Sequence, residues 1–349
     1  MGRGRPHGGH RLSTLAPRGG GAPPKDEPGR IDSGAAAAKI TTVIAASVAM
    51  RELLEVAGRL AEVMTPVLVQ GESGTGKDLL VHWLHYNSAR RDGPLVKVHC
   101  PSIPEDLLES ELFGHERGAF TDARQAKTGK IEMAAGGTVF FDQIEDLSLG
   151  LQAKLLRVVE ERKFERVGGT RTLEVDVRFV CAAGLDLRRA VASGAFRADL
   201  FHRLSVVPLT LPPLRTRRED ILPLAELFLA RERQRKHRQL VRSFAPATAD
   251  ALRGYSWPGN VRELRGVVER AALLSAEPAI PPAALPPHVR EQPSTMWVAR
   301  DRRPSLRDVE QEYIRYVLEQ VSGSQTRAAA ILGISRKALW EKRRRYGIP

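Results

Sequence analysis

Gly71-Glu72-Ser73-Gly74-Thr75-Gly76-Lys77-Asp78 joins an apolar run, Pro66–Gln70, to a helix-like run that continues to Tyr86. Strand, glycine-rich turn and helix in that order make a phosphate-binding loop. The glycines let successive backbone N–H groups curl around a polyphosphate, the helix N-terminus adds positive potential, and Lys77 reaches the outer phosphates. Asp78 departs from the general pattern, because a Ser or Thr hydroxyl that touches Mg²⁺ usually follows the lysine.

Further along, Gly136-Gly137-Thr138-Val139-Phe140-Phe141-Asp142 ends an apolar strand on a carboxylate, the usual position for holding Mg²⁺ or its water. Asp142 is the metal-site candidate. A second carboxylate beside it would polarise an attacking water. The next residue is Gln143, which cannot take up a proton near neutral pH.

Around these two motifs, short β-rich runs alternate with helical periodicity: Pro66–Gln70, Leu95–Cys100, Thr138–Asp142, Val175–Ala183 and Val206–Leu211. That alternation predicts an α/β fold with a parallel sheet covered by helices. From Arg218 to Ser275 the strands stop, and Leu224, Leu227, Phe228, Val261, Leu264, Val268 and Leu274 recur at helical spacing, which predicts a small helical lid. The expected divisions are a tail at 1–35, an α/β subdomain at 40–215, the lid at 216–275, a Pro-rich linker at 276–305 and a helical unit at 306–349. The tail has six Lys/Arg against three Asp/Glu and hardly any large apolar residues, so it is expected to be disordered.

The 349 residues are 42% hydrophobic and 27% charged, a globular mixture, and the net charge of +13 favours polyanionic partners. Cys100 and Cys181 lie in strand-like runs without CxxC spacing, so neither a disulfide scaffold nor a zinc site is expected. No stretch approaches the ~18 apolar residues of a membrane helix, and no secretory signal opens the chain, so a cytoplasmic location is expected.

Three stretches in order carry a specific resemblance: the phosphate loop Gly71–Asp78, then the segment Leu107–Ala123 with Gly118-Ala119-Phe120-Thr121-Asp122-Ala123 at its end, then Trp257-Pro258-Gly259-Asn260-Val261-Arg262-Glu263-Leu264. The chain resembles a sigma-54-dependent transcription activator, a bacterial enhancer-binding protein of the AAA+ class, over about residues 40–275 and again over 306–348. The family's loop carries an acidic residue after the lysine, which accommodates Asp78. The resemblance implies an α/β AAA+ P-loop sheet with a helical lid. It also implies a homo-oligomer, a hexameric ring, that binds ATP with Mg²⁺, hydrolyses it between subunits and drives a surface loop against the sigma-54 RNA polymerase holoenzyme to open promoter DNA.

In that scheme Gly71, Glu72, Ser73, Gly74, Thr75, Gly76, Lys77, Asp78 and Asp142 bind the nucleotide, and Arg262 senses its γ-phosphate from the lid. Arg197 and Arg203 enter the neighbouring subunit's site. Gly118, Ala119, Phe120, Thr121, Asp122 and Ala123 form the sigma-contacting loop. Planar guanidinium groups suit the arginine roles, since they stabilise charge on a transferring phosphoryl group. Asp122 replaces the family's second glycine, which removes backbone freedom and adds negative charge where the polymerase would be met. Two further positions where the family has Asn are His99 and Gly184. Together with the degenerate catalytic position Gln143, these changes remove groups that orient or activate the nucleophilic water. The residues that grip ATP are kept, so hydrolysis is expected to be impaired.

Toward the other end, Thr326–Leu332, a Gly333-containing turn and Ser335–Tyr346 read as helix, turn and helix, with Ser335 as N-cap. Ile331, Leu332 and Leu339 are expected in the core. Arg336, Lys337, Lys342, Arg343, Arg344 and Arg345 are expected on DNA. Residues 300–349 hold 12 Lys/Arg against 6 Asp/Glu. The unit resembles the Fis-like helix-turn-helix domain of the same family. The preceding helix, with Leu306, Val309, Tyr313, Ile314, Val317 and Val321, would supply core and a dimer face.

Residues 1–39 are too short for a receiver domain, so control is expected to come from a separate protein, a ligand or expression level. The leading reading is a sigma-54-linked, ATP-binding, DNA-binding regulator with slow hydrolysis. The alternative is a nucleotide-gated repressor or activator independent of sigma-54. A metabolic P-loop kinase is disfavoured by the DNA-binding unit.

Overall fold

In the computed structural model of the chain, residues 43–102, 104–184, 187–236, 241–290, 305–321 and 324–348 are described. The predicted tail at 1–35 and residues 291–304 of the predicted linker lie outside the described residues. The chain divides into two compact units, residues 1–290 and 291–349.

The first unit is built on five parallel strands, β1 (Val67–Gln70), β2 (Leu95–His99), β3 (Thr138–Asp142), β4 (Arg178–Ala183) and β5 (Pro208–Thr210), in the order β2-β3-β4-β1-β5. Their registers set Asp142 beside Ala182 and His99, and Gln70 beside both Ala183 and Thr210, so the carboxyl ends of all five strands form one edge. Helices cover both faces of the sheet, which is why its inner strands β1, β3 and β4 are near-continuous apolar runs instead of alternating ones. Val139, Phe140, Phe141 and all of β4 are buried.

One face carries α1 (Val48–Ala61) and α2 (Lys77–Tyr86); the other carries α3 (Glu105–Phe113), α4 (Leu149–Glu161) and α5 (Ala198–Leu204). Ser47 caps α1 by accepting from the backbone N–H of Met50. At the other end of α1 the buried Arg178 guanidinium donates to the carbonyls of Leu60 and Ala61 at 2.6 and 3.2 Å, satisfying end carbonyls and facing the negative end of the helix dipole.

The lid comprises α6 (Ile221–Lys236), α7 (Pro246–Gly254) and α8 (Asn260–Leu274) around their own core of Leu224, Phe228, Leu252, Trp257, Leu264 and Val268. It is not purely helical, and it does not end at residue 275. Ser243–Phe244 pairs in parallel with Ala279–Ile280, and Ile280, Leu285 and Val289 are buried in the lid core. Residues 279–290, expected in the linker, therefore belong to the lid. Their prolines shape turns and helix starts, as at Pro287, which opens the short helix Pro287–Arg290.

The second unit contains α9 (Leu306–Gln320), α10 (Gln325–Ile331) and α11 (Arg336–Tyr346). Gly333 takes φ 66° in the turn, and the Ser335 hydroxyl accepts from Ala338 N–H at 3.1 Å. Ile314, Val317, Leu318, Ala328, Ala329, Leu339 and Ile348 are the buried core. Ile331 is not part of it. It is 58% exposed, because the small Ala328 and Ala329 face the crossing helices and turn Ile331 outward. Among the described residues no helix is long and apolar enough to cross a membrane.

Candidate functional site

The carboxyl edge of the sheet gathers the phosphate loop, Asp142, Gln143 and Gly184 at the ends of β1, β3 and β4. Ligands of open α/β sheets bind at this edge. Gly74 and Gly76 take φ 77° and 108°, left-handed values that fold the loop over the start of α2. Lys77 Nζ donates to the carbonyls of Gly71 and Glu72 at 2.7 and 3.1 Å. Burial pushes the Lys77 ammonium below its ordinary value, opposed by the carboxylates of Glu145, Asp142 and Asp78. Asp78, in the first turn of α2, pairs with Lys97, and the same Lys97 Nζ reaches Asp142 Oδ2 at 2.9 Å. Burial works against the Lys97 charge, but the hydrogen bonds of Asp78 and Asp142 outweigh it and hold its pKa above the usual lysine value.

His99 Nδ1 lies 3.2 Å from the same Asp142 oxygen, so His99 bears on the metal-site candidate. Gln143 is exposed, with φ 60°. Gly184 N–H donates to Glu145 Oε1 at 2.6 Å.

The lid reaches this edge directly. A Cβ on Gly74 would collide with the carbonyl oxygen of Gly259, so only glycine allows the two turns to meet. Val261 and Arg262 N–H groups donate to Gly74 O at 2.9 and 3.3 Å, and Arg262 Nη1 donates to Ser73 Oγ at 2.9 Å. The γ-phosphate-sensing candidate thus stands on the phosphate loop. Five contributors, Asn260, Arg215, Arg217, Asp220 and Glu145, are not singled out by the sequence. Asn260, fully buried with φ 53°, donates through Nδ2 to Glu72 Oε2 and Ser73 O and accepts from Leu214 N–H. Arg215 makes a two-pronged pair with Glu72, which with Asn260 holds the Glu72 carboxyl at about 2. Arg217 Nη2 donates to Thr75 O at 2.7 Å, and Arg217 lies 3.9 Å from the buried Asp220, whose carboxylate accepts from Ala46 N–H, Ser47 N–H and the Ser47 hydroxyl. Asn260 and Glu145 could have been noticed in sequence, one inside Trp257–Leu264 and the other two residues past Gln143. Arg215, Arg217 and Asp220 carry no such signal.

Arg197 precedes the first turn of α5, is exposed, and pairs with Asp199 at 2.7 Å. Arg203 is exposed on the same helix, whose apolar face, Leu200, Phe201 and Leu204, is buried.

In the segment 118–123, Phe120 is 41% exposed and Ala123 is buried. Gly118, at φ 84°, donates to Ala123 O at 2.8 Å, closing the loop. Asp122 is not among the residues with positive φ, so this conformation does not require glycine there. The Phe120 ring meets His115 edge to face at 4.9 Å, and Gly168, between the antiparallel strands Lys163–Glu165 and Thr172–Glu174, packs against Ala119 so closely that a Cβ would stand 2.7 Å from the alanine's own.

In the second unit Arg336, Lys337, Arg344 and Arg345 are exposed and Arg343 is half-buried. Arg344 lies over the Trp340 ring at 5.6 Å. Lys342 departs from expectation: its ammonium pairs with Glu310 of α9, joined there by the Tyr346 hydroxyl, so it ties the two helices together. Ile314 and Val317 serve the core, whereas Tyr313 is 47% exposed. The side chains of Leu306 and Val309 lie outside the described residues.

With this geometry in view, comparison with known proteins finds the sigma-54 interaction domain over residues 43–210, the AAA+ ATPase lid domain over 215–301 and the Fis family of bacterial regulatory proteins over 305–346. The regulatory protein AtoC of Escherichia coli is 45% identical over 313 residues, 88% of this chain and 68% of AtoC. The transcriptional regulatory protein ZraR of Salmonella typhimurium is 45% identical over 300 residues, 86% of this chain and 68% of ZraR. The crystal structure of NtrX from Brucella abortus in complex with ATP superposes with a TM-score of 0.67 at 33% identity, covering 88% of this chain and 70% of NtrX. The chain belongs to the sigma-54-dependent transcriptional regulators, the bacterial enhancer-binding proteins of the AAA+ class, with a Fis-type helix-turn-helix domain.

Proposed function

We propose that this regulator binds ATP at residues 71–78 with Arg262 above them, binds operator DNA through the helix pair 325–346, and hydrolyses the bound nucleotide slowly. The observation that carries the reading is the identity of residue 143. The phosphate loop, Lys77, Asp142 and the lid arginine are all in place, but the side chain after Asp142 is an amide with no capacity to accept a proton.

The donor set suits Mg²⁺. Asp78 and Asp142 converge on one ammonium, that of Lys97, so two hard oxygen donors already surround a single cationic centre. These two carboxylates would hold the ion, and it would neutralise charge on the phosphates.

Arg197, just before α5, and Arg203, on it, are exposed and supply guanidinium groups for a neighbouring subunit's nucleotide in a homo-oligomer of two to six chains. Phe120 at the tip of loop 118–123 is the contact to the sigma-54 holoenzyme, weakened by the Asp122 charge beside it. A base at position 143 would contribute typically ~10²–10⁴-fold to rate, so an amide there predicts nucleotide binding with turnover far below the ~1–100 s⁻¹ of efficient phosphoryl transfer.

Titration of the full chain with ATP and Mg²⁺ tests the binding half: saturable binding that is lost in Lys77→Ala is expected, and no binding would refute it. A second reading, regulation independent of sigma-54, is favoured by Asp122. Direct binding of the holoenzyme by Asp122→Gly and by the wild type decides between them.

A further inference from the structure

The carboxylate absent at position 143 has a counterpart two residues on. Glu145 lies in the short turn Ile144–Asp146 that follows β3. Its two oxygens are in different situations. Oε1 accepts the Gly184 N–H at 2.6 Å, while Oε2 is shielded from solvent and has no hydrogen-bond partner among the described residues. A buried, unpaired carboxylate oxygen is costly and persists where a ligand or a reaction uses it.

Glycine at 184 accommodates this carboxylate without displacing it. A Cβ there would stand 3.1 Å from Oε1, so a side chain at 184 would press on the carboxylate. Glu145 is also the foremost of the carboxylates whose charge bears on Lys77, ahead of Asp142 and Asp78, which puts it within the field of the phosphate site. Amide at 143, carboxylate at 145 and glycine at 184 thus form one arrangement.

We propose that Glu145 is the general base of this site, with Oε2 receiving the proton of the water that attacks the γ-phosphorus of ATP. The inference rests on the reading that the site binds ATP and turns it over slowly. In the step, the water oxygen forms a bond to the γ-phosphorus, and the bond from that phosphorus to the β–γ bridging oxygen breaks. The electron pair of the broken bond stays on ADP. The water's proton passes to Oε2 and then to solvent, leaving inorganic phosphate. Turnover is slow because Oε1 is tied to Gly184 and Gln143 adds no second proton acceptor.

The discriminating variant is Glu145→Gln. Its amide oxygen can still accept the Gly184 N–H, so a purely structural role leaves turnover unchanged, whereas loss of a base lowers it. ATP hydrolysis and ATP affinity are measured side by side on full-length wild type, Glu145→Gln and Gly184→Asn. The expected result is kcat at least ~100-fold lower in Glu145→Gln, with the ATP Kd within about threefold of wild type, and a comparable kcat loss in Gly184→Asn. Equal kcat in wild type and Glu145→Gln overturns the proposal and leaves the regulator reading intact, as does wild type that binds ATP without any turnover. Fast wild-type hydrolysis that vanishes in Glu145→Gln upholds the proposal and overturns slow hydrolysis. Failure of wild type to bind ATP overturns both.

Discussion

Asn260 of the lid donates a hydrogen bond from Nδ2 to the main-chain oxygen of Ser73 in the phosphate loop, at 3.1 Å. Its Oδ1 accepts the Leu214 N–H at 2.8 Å, so one buried amide joins the lid, the chain leaving β5 and the phosphate loop. Asn260→Ala leaves the Leu214 donor unpaired and places alanine, which lacks asparagine's tolerance of left-handed backbone, at φ 53°, which together destabilise by about 3 kcal/mol. Asn260→Gly relieves only the backbone part. Urea unfolding of both variants, with ATP titration, is expected to show Ala worse than Gly in stability and both weakened in ATP affinity.

Asp220 is fully buried and gathers Ala46 N–H, Ser47 N–H, the Ser47 hydroxyl and Arg217. Removing one partner of a buried charge network costs about 3–5 kcal/mol, because the remaining charge and donors stay desolvated. Asp220→Ala is expected to lower the unfolding free energy by that amount. It also loosens Arg217 from Thr75 O, which reduces nucleotide affinity. A loss under 1 kcal/mol in denaturant melts would contradict this role.

His85, buried on α2 and bonded to Thr138 Oγ1 at 2.9 Å, is pushed down to about 4, chiefly by burial. Its folded pKa lies below the unfolded value of about 6.5, so the unfolded chain binds more protons between them. Its contribution to stability is complete above pH 6.5 and falls as pH drops toward 4, by about 3 kcal/mol in total. His82 is shifted the same way by burial and adds to the slope. In His85→Gln, stability measured by urea titration from pH 7 to pH 4 is expected to show a flatter dependence than wild type.

On DNA, neutralising Arg343, Arg344 and Arg345 is expected to weaken binding across sequences and to reduce the salt slope by about one for each phosphate left without its arginine. Lys342→Ala should behave differently. Its ammonium is engaged with Glu310, so the first effect is a lower melting temperature of the helical unit. Fluorescence anisotropy over a salt series, beside thermal melts, separates the two.

The sheet was legible because its inner strands are buried on both faces and therefore read as continuous apolar runs: Thr138–Asp142 matches β3 end to end. Val175 and Val177, expected in the fourth strand, are buried without joining it, since burial alone cannot say whether an apolar residue pairs or only packs. The end of the lid was hidden by its prolines, which break helices in a sequence pattern but here start turns that carry Ile280, Leu285 and Val289 inward. At the site, the loop and Asp142 announce themselves by spacing. The pairing of Glu145 with Gly184 and the bond of Lys342 to Glu310 depend on chain crossings separated by 39 and 32 residues, which no local pattern records.

The most direct test of the central claim is steady-state ATP hydrolysis by the wild type beside Gln143→Glu, at ATP concentrations shown by titration to saturate both. The account predicts wild-type turnover well below ~1 s⁻¹, and a gain of ~10²-fold or more when a carboxylate is placed at 143. Wild-type turnover at ~1–100 s⁻¹ that Gln143→Glu does not raise would contradict it.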